Sequence, residues 1–450
     1  MATRRKMAAL PPEADESGDV LLDSLSDHNF FISASKFPRR IIAEDPTYNR
    51  PEIAHLKTLC LNKIANTYNG TQNLRRLSSY EKHFLAKRLP LNFPIITAIR
   101  FVSDDIYWQK RCLNQWEICD LTRYFGSWKV MCLQRTIEQL IEEFVPDAPD
   151  HEEHMKQLKS LIVAANKFIK RLNVSKLNAI KPIDGGGGTR LTPEEYRLNF
   201  ETILANLPHL EELSVTYSAT RCGQTFDWYM ARLTYDEVKS LSIAIMPCYN
   251  LRVLQLHKSE LDCIKINLLI QGLMHLPALE SLLLPHNLIA DKGALCIAKL
   301  LSVSGKLTVL NLANNRIGPL GAEAIAFALT KNSTLRELNL RLNVLHEKGC
   351  TSICRALAVN KGLQKLNLAS NEMGEKTAEI VGQLFKFNRS LTEVDFSCNL
   401  DIGVVGGVDI FEGLEKNSTL VELDLRWCNC GQETEYYVDQ LLKNNRNKCR

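Results

Sequence analysis

The sequence has no apolar run approaching the roughly 20 residues needed to cross a bilayer. Its opening, MATRRKMAALPPEADE, carries basic residues but too short an apolar stretch to read as a signal peptide. Charge of one sign is also scarce: 55 Lys and Arg against 51 Asp and Glu leave a net +4, too little to argue for nucleic acid. The 14 cysteines lack framework-like spacing, so they read as reduced thiols inside a cell. No histidine, cysteine or carboxylate group has catalytic spacing, and no catalytic, cofactor-binding or metal-ligating residue is assigned. Gly185–Gly188 could suggest a phosphate loop, but neither the required lysine and hydroxyl pattern nor a preceding strand accompanies it. Cys428 and Cys430 have no second cysteine or histidine pair nearby to complete a zinc set. With 45% hydrophobic and 24% charged residues, the composition is that of a folded protein, cytosolic or cytoskeletal.

What is present is repetition. LESLLLPHN, LTVLNLANN, LRELNLRLN, LQKLNLASN and LTEVDFSCN end on Asn287, Asn315, Asn343, Asn371 and Asn399, each 28 positions after the last. Leucines at the first, fourth and sixth places point inward from a short strand and its approach, and the residues between them face out. After each asparagine the chain turns into a helix. Gly293, Gly321 and Gly349 open it; Ile297, Ile325 and Ile353, then Leu301, Leu329 and Leu357, give its apolar stripe. One strand and helix cannot bury both faces alone, so neighbours must stack. This predicts an α/β leucine-rich-repeat solenoid, a ribonuclease-inhibitor-like horseshoe with a parallel concave sheet and convex helices. The asparagine amide can donate and accept where the turn strands buried backbone groups.

In chain order, residues 1–30 read as a flexible head and 31–182 as a mostly α-helical domain. Residues 183–190 read as a glycine-rich linker, 191–444 as the repeat domain and 445–450 as a basic tail. Pro51 can start a first helix, and Ser78 to Glu81 has capping-box spacing for another ending near Pro90. Residues 127–145 and 151–172 each read as one further helix. Trp108, Trp116 and Trp128 read most simply as core, although clustered tryptophans can line a peptide groove. Thr192 to Glu195 and Thr234 to Glu237 read as helix starts. Leu210 to Leu251 spans 41 positions instead of 28, and the surplus carries Phe226, Trp228 and Tyr229, either a contact surface or a plug on the solenoid end. The unit from Leu391 to Leu420 is 29 long, its extra residue lying in NLDIGVVGG. In the last unit Cys428 stands where the asparagine would.

The outward strand positions name a candidate partner face. Arg341, Lys365, Glu393, Asp395, Glu422 and Asp424 lie on it, with four carboxylates on the last two strands. Strands about 4.8 Å apart lie within a Debye length of about 8 Å, so those carboxylates should act as one field that steers a basic segment of a partner. A solvated rim is the plainer reading.

Outside the repeats, RIIAEDP, YWQKRCLNQW, GSWKVMCLQR and FDWYMARLTYDEVKSLSIAI, followed by LNLANNRIG, LNLRLN and LDLRWCNCGQETEYYV, occur in an order and wording that resemble the T-complex-associated testis-expressed protein 1 family. The resemblance runs from about residue 40 to residue 440. It implies a non-enzymatic leucine-rich-repeat subunit of the nexin-dynein regulatory complex in ciliary and flagellar axonemes. The expected partners are other subunits of that complex and, indirectly, doublet microtubules or dynein arms, with no cofactor, nucleic acid or membrane. Two competing readings are a small-GTPase regulator, whose relatives carry an acidic tail unlike KNNRNKCR, and a ubiquitin-ligase adaptor, whose helical box is much shorter than this N-terminal region.

Overall fold

A computed structural model of the chain describes residues 55–68, 77–146, 148–177, 198–217 and 233–448. The chain divides into two units, 1–59 and 60–450, and the sheet and its continuous core lie in the second. The head, Pro51, the glycine stretch, the Thr192 cap and Phe226, Trp228 and Tyr229 lie outside the described residues.

The N-terminal helices are α1 (Leu56–Thr67), α2 (Ser79–Arg88), α3 (Ile95–Phe101), α4 (Asp105–Gln115), α5 (Trp128–Glu143) and α6 (His151–Ala165). The capping box of α2 forms as its spacing predicts: Glu81 N donates to Ser78 Oγ at 3.3 Å, and Ser78 N to Glu81 Oε2 at 2.6 Å. Trp108 is fully buried, with its indole N–H donating to Val102 O at 3.2 Å. Trp116 and Trp128 pack at the margin of the same core.

The stretch read from sequence as one helix over 151–172 is corrected by the structure. After α6 and a single 3-10 turn the chain extends into a strand, β1 (Arg171–Val174). Ile169, Leu172, Val174 and Leu177 are buried at the first, fourth, sixth and ninth places of the repeat phrase. The later strands are β2 (Glu212–Thr216), β3 (Val253–His257), β4 (Ser281–Leu283), β5 (Val309–Asn311), β6 (Glu337–Asn339), β7 (Lys365–Asn367), β8 (Glu393–Asp395) and β9 (Glu422–Asp424). Among the described residues they form one parallel sheet in sequence order. Paired residues are 41 apart from β1 to β2 (171 to 212) and again from β2 to β3 (212 to 253). The offset then falls to 28, and is 29 between β8 and β9 (393 to 422).

Between the strands run α7 (Phe200–Leu204), α8 (Tyr235–Ile245), α9 (Cys263–Leu273), α10 (Asp291–Val303), α11 (Pro319–Lys331), α12 (His346–Val359), α13 (Glu375–Phe387) and α14 (Gly403–Leu414), and α15 (Gln432–Lys448) comes after β9. Their leucine and isoleucine stripes meet the inward leucines of the strands in a core continuous from the N-terminal helices to α15. Gly321 has a steric reason: a Cβ there would lie 2.8 Å from Ala294 Cβ and from Ile317 Cγ2. Burial pushes the Cys354 thiol up to about 12, so it packs as a small apolar residue.

The free edge of β1 is closed by side chains of α5. Gln134, Glu138 and Glu142 are four residues apart and share a helix face. Gln134 Nε2 donates to Arg171 O at 2.6 Å, Asn173 N donates to Glu138 Oε1 at 2.8 Å, and Ser175 N donates to Glu142 Oε1 at 2.8 Å. The helical region is therefore bonded to the first strand of the sheet, and this ridge occupies the place of a further strand. At the other end the residues read as a basic tail from 445 onward continue α15 to Lys448, with Asn445 buried.

Candidate functional site

Two asparagine ladders set the spacing of the repeats. In the first, Asn343 Nδ2 donates to Leu312 O at 3.0 Å in the preceding repeat and to Leu340 O at 2.9 Å in its own, while Ile317 N donates to its Oδ1 at 3.0 Å. Asn287, Asn315 and Asn399 are bonded in the same way. Asn371 keeps the two donations, but its Oδ1 is buried without a partner among the described residues. Cys428 takes the last place, with Sγ 3.1 Å from Phe396 O. The second ladder was not read from the sequence: Asn332, Asn360, Asn388 and Asn417 are buried where one helix ends and the next strand approaches, and Asn445 is buried at the same step within α15. Asn360 Nδ2 reaches Leu329 O and Asn332 O, both at 2.7 Å, and Gly362 N and Leu363 N donate to its Oδ1 at 2.9 Å. The signal was a second asparagine series at the same period.

With register fixed this way, outward side chains of β6 to β9 line a groove of about 250 Å³. Glu337, Lys365, Glu393 and Glu422 are aligned across it by strand pairing. Lys365 Nζ lies 2.8 Å from Glu393 and 3.9 Å from Glu337, and its bond to Glu393 holds its pKa above the ordinary lysine value. Glu422 is exposed and has no cation within ion-pair distance among the described residues. The second row has a different role. Asp395 Oδ1 accepts from Ser397 N and Asp424 Oδ1 from Arg426 N, both at 3.0 Å, as Asn339 and Asn367 accept from the N–H two residues on. Arg426 Nε also lies 3.0 Å from both Asp424 oxygens, and that bond holds Asp424 below the usual carboxylate range.

Of the residues proposed from sequence, the structure brings Lys365, Glu393, Asp395, Glu422 and Asp424 into one groove. The single field of four carboxylates is corrected: Lys365 offsets Glu393, Arg426 offsets Asp424, and Asp395 is tied to Asn367 Nδ2 at 2.7 Å. Arg341, one strand from Lys365, is exposed, and its charge also lowers the Asp424 pKa. The result is a mixed-charge face with acidic excess at Glu422. No group of three or more His, Cys, Asp or Glu side chains among the described residues is placed to hold a metal ion, and no described helix is long and apolar enough to cross a membrane.

A leucine-rich-repeat family model matches residues 304–326, 331–354, 387–411 and 416–431. The chain is similar to dynein regulatory complex subunit 5 of Mus musculus, with 35% identity over 272 residues, 58% of this chain and 54% of that protein. The Homo sapiens protein of the same name is 34% identical over 273 residues, with the same coverage. That of Chlamydomonas reinhardtii is 26% identical over 216 residues, 48% of this chain and 50% of the relative. The chain thus spans about half the length of these relatives. Among solved structures, leiomodin-1 actin-binding site 2 superposes with a TM-score of 0.33 at 24% identity, over 36% of this chain and 91% of that one.

Proposed function

We propose, from its similarity to dynein regulatory complex subunit 5, that the chain is a non-enzymatic scaffold subunit of such a complex in the axoneme of cilia or flagella. There it holds sister subunits and so helps regulate dynein-driven sliding. The observation that supports this reading is the outward face of β6 to β9, where rigid strands present Glu337, Lys365, Glu393 and Glu422 side by side with no catalytic group among them. Charged rows of this kind give a partner orientation and register more than raw affinity.

The test uses tagged full-length chain in ciliated cells, followed by extraction with detergent. The parent chain is expected in the demembranated axonemes together with other regulatory-complex subunits. Glu393→Lys with Glu422→Lys is expected to shift most of it to the soluble fraction at physiological salt while leaving the circular dichroism spectrum unchanged. Recovery of the parent chain mainly in the soluble fraction would overturn the scaffold reading. Full retention of the double variant would overturn the role of this face.

A further inference from the structure

The 29-residue unit changes the surface at the C-terminal end of the solenoid. Its extra residue makes a 3-10 turn, Leu400–Ile402, closed by Gly403 at φ +64°. The first turns of α10, α12 and α13 carry Asp291-Lys292, Glu347-Lys348 and Glu375-Lys376, and that of α11 carries Pro319-Leu320. The corresponding turn of α14 is Val404-Val405, about 60% exposed at each residue, with Leu400 at 55% beside it. Backbone bonds bring this turn against the segment after β9: Gly403 N donates to Cys428 O, and Asn429 Nδ2 donates to Leu400 O, both at 3.1 Å. That segment carries Trp427, 74% exposed. Clustered exposed apolar side chains of this size mark contact sites on soluble proteins.

Trp427 gives the second observation. It occupies the loop position held in earlier repeats by His286, Asn314, Leu342, Ser370 and Cys398, all with φ between 52° and 60°, and its own φ is 63°. Left-handed backbone is costly for a bulky residue, and asparagine tolerates it far better. The left-handed turn belongs to every repeat, and what sets Trp427 apart is that the large ring held there is exposed, with no ring contact or hydrogen bond of the indole among the described residues. The unpaired charges around the patch are acidic: Asp401 lies within the turn, Glu433 and Glu435 in the first turn of α15, and Glu422 on β9, all outside any ion pair among the described residues, while Arg426 beside Trp427 is taken up by Asp424.

We propose that Leu400, Val404, Val405 and Trp427 form a docking patch for a basic amphipathic helix of a partner protein. Its apolar face covers the patch, and its lysines or arginines meet Asp401, Glu422, Glu433 and Glu435. This deepens the scaffold reading and rests on it, naming the chemistry of the partner segment.

The probe is a labelled 18-residue helix-forming peptide with a leucine face and a lysine face, titrated by fluorescence anisotropy into purified full-length chain. Controls replace every lysine with glutamate or scramble the order. The lysine peptide is expected to bind with a Kd of about tens of micromolar or tighter, weakening with added salt, and the controls at least about tenfold more weakly. Trp427→Asn suits the left-handed position and so folds; with Val404→Ser it is expected to weaken the peptide at least about tenfold. Equal binding to parent and variant, or equal binding of the lysine and glutamate peptides, would overturn the proposal. Self-association of the parent in sedimentation, lost in Trp427→Asn, would overturn it in favour of a second copy of this chain as occupant. Axonemal retention separates the two readings: a parent chain that stays in axonemes but binds the lysine peptide no better than the variant sinks the patch alone, whereas a parent chain that washes out sinks the scaffold.

Discussion

Asn343 joins two repeats through one amide, donating to Leu312 O and Leu340 O and accepting from Ile317 N. Asn343→Ala leaves Ile317 N without its acceptor and takes one of two amide donors from each of Leu312 O and Leu340 O, which Asn315 and Asn371 still reach; it is expected to cost about 1–3 kcal/mol, read as a lower urea midpoint with an unchanged slope. Asn360 has the same role at the other edge, where helix meets strand, and Asn360→Ala is expected to fall in the same range. Leu338, 1% exposed on β6, is a different case: Leu338→Ala loses burial and leaves a cavity, costing about 2–5 kcal/mol. A substitution of Asp395 or Asp424 disturbs its strand end, because each accepts the N–H two residues on. Glu393 and Glu422 have no such local bond and are the cleaner probes of the face.

Helix α5 gives the clearest result for an element. Its carboxylate Glu138 is half-buried against β1, and that partial loss of water pushes its pKa up to about 7; Glu142 adds to the rise, and the Asn173 N–H and Arg135 oppose it. The folded state therefore holds a proton that the unfolded chain gives up near the ordinary glutamate value of about 4.3. This contribution is fully present below that value and is lost as pH rises through about 7. Glu138→Gln keeps an oxygen to accept from Asn173 N and removes the titration. It is expected to be the more stable protein at pH 8, by about 1–2 kcal/mol, with the difference vanishing near pH 4.5 in urea titrations at the two pH values. Gly321 limits the spacing between α10 and α11: Gly321→Ala forces a methyl against Ala294 Cβ and is expected to cost about 1–3 kcal/mol.

For the molecule as a whole, described residues between Tyr68 and Leu442 share one continuous core, closed by α5 at β1 and by α15 at β9. Val438 and Leu442 of α15 are buried, and Asn445 Nδ2 donates to Asn417 O at 3.0 Å and Leu420 O at 2.9 Å. End repeats of a solenoid need such covers to stay soluble. Truncation after Gly431 removes this helix and is expected to give higher-order species on size-exclusion chromatography together with a lower melting temperature. A monomeric truncated chain with the parent melting temperature would mean that α15 is not a cover.

The sequence by itself determined the repeat. A 28-residue period of leucine and asparagine can bury its leucines and pair its turn amides in only one way, by stacking strand on strand, and Leu282, Leu310, Leu338 and Leu366 are buried as that pattern requires. Local chemistry also sufficed for the capping boxes at Ser78 and Thr234, which involve residues three apart. What the period could not carry was decided by tertiary structure. Ile169 to Leu177 lies against a helical pattern and lacks the closing asparagine, so only pairing of Arg171 with Glu212 identifies it as the first strand. The carboxylates of Glu393 and Asp424 looked unopposed along the chain, because Lys365 stands 28 residues before Glu393 and the fold of Arg426 back onto Asp424 is a local geometry that no spacing specifies. Side-chain pairing across a parallel sheet joins residues a full repeat apart, and that distance is set by the register of the strands.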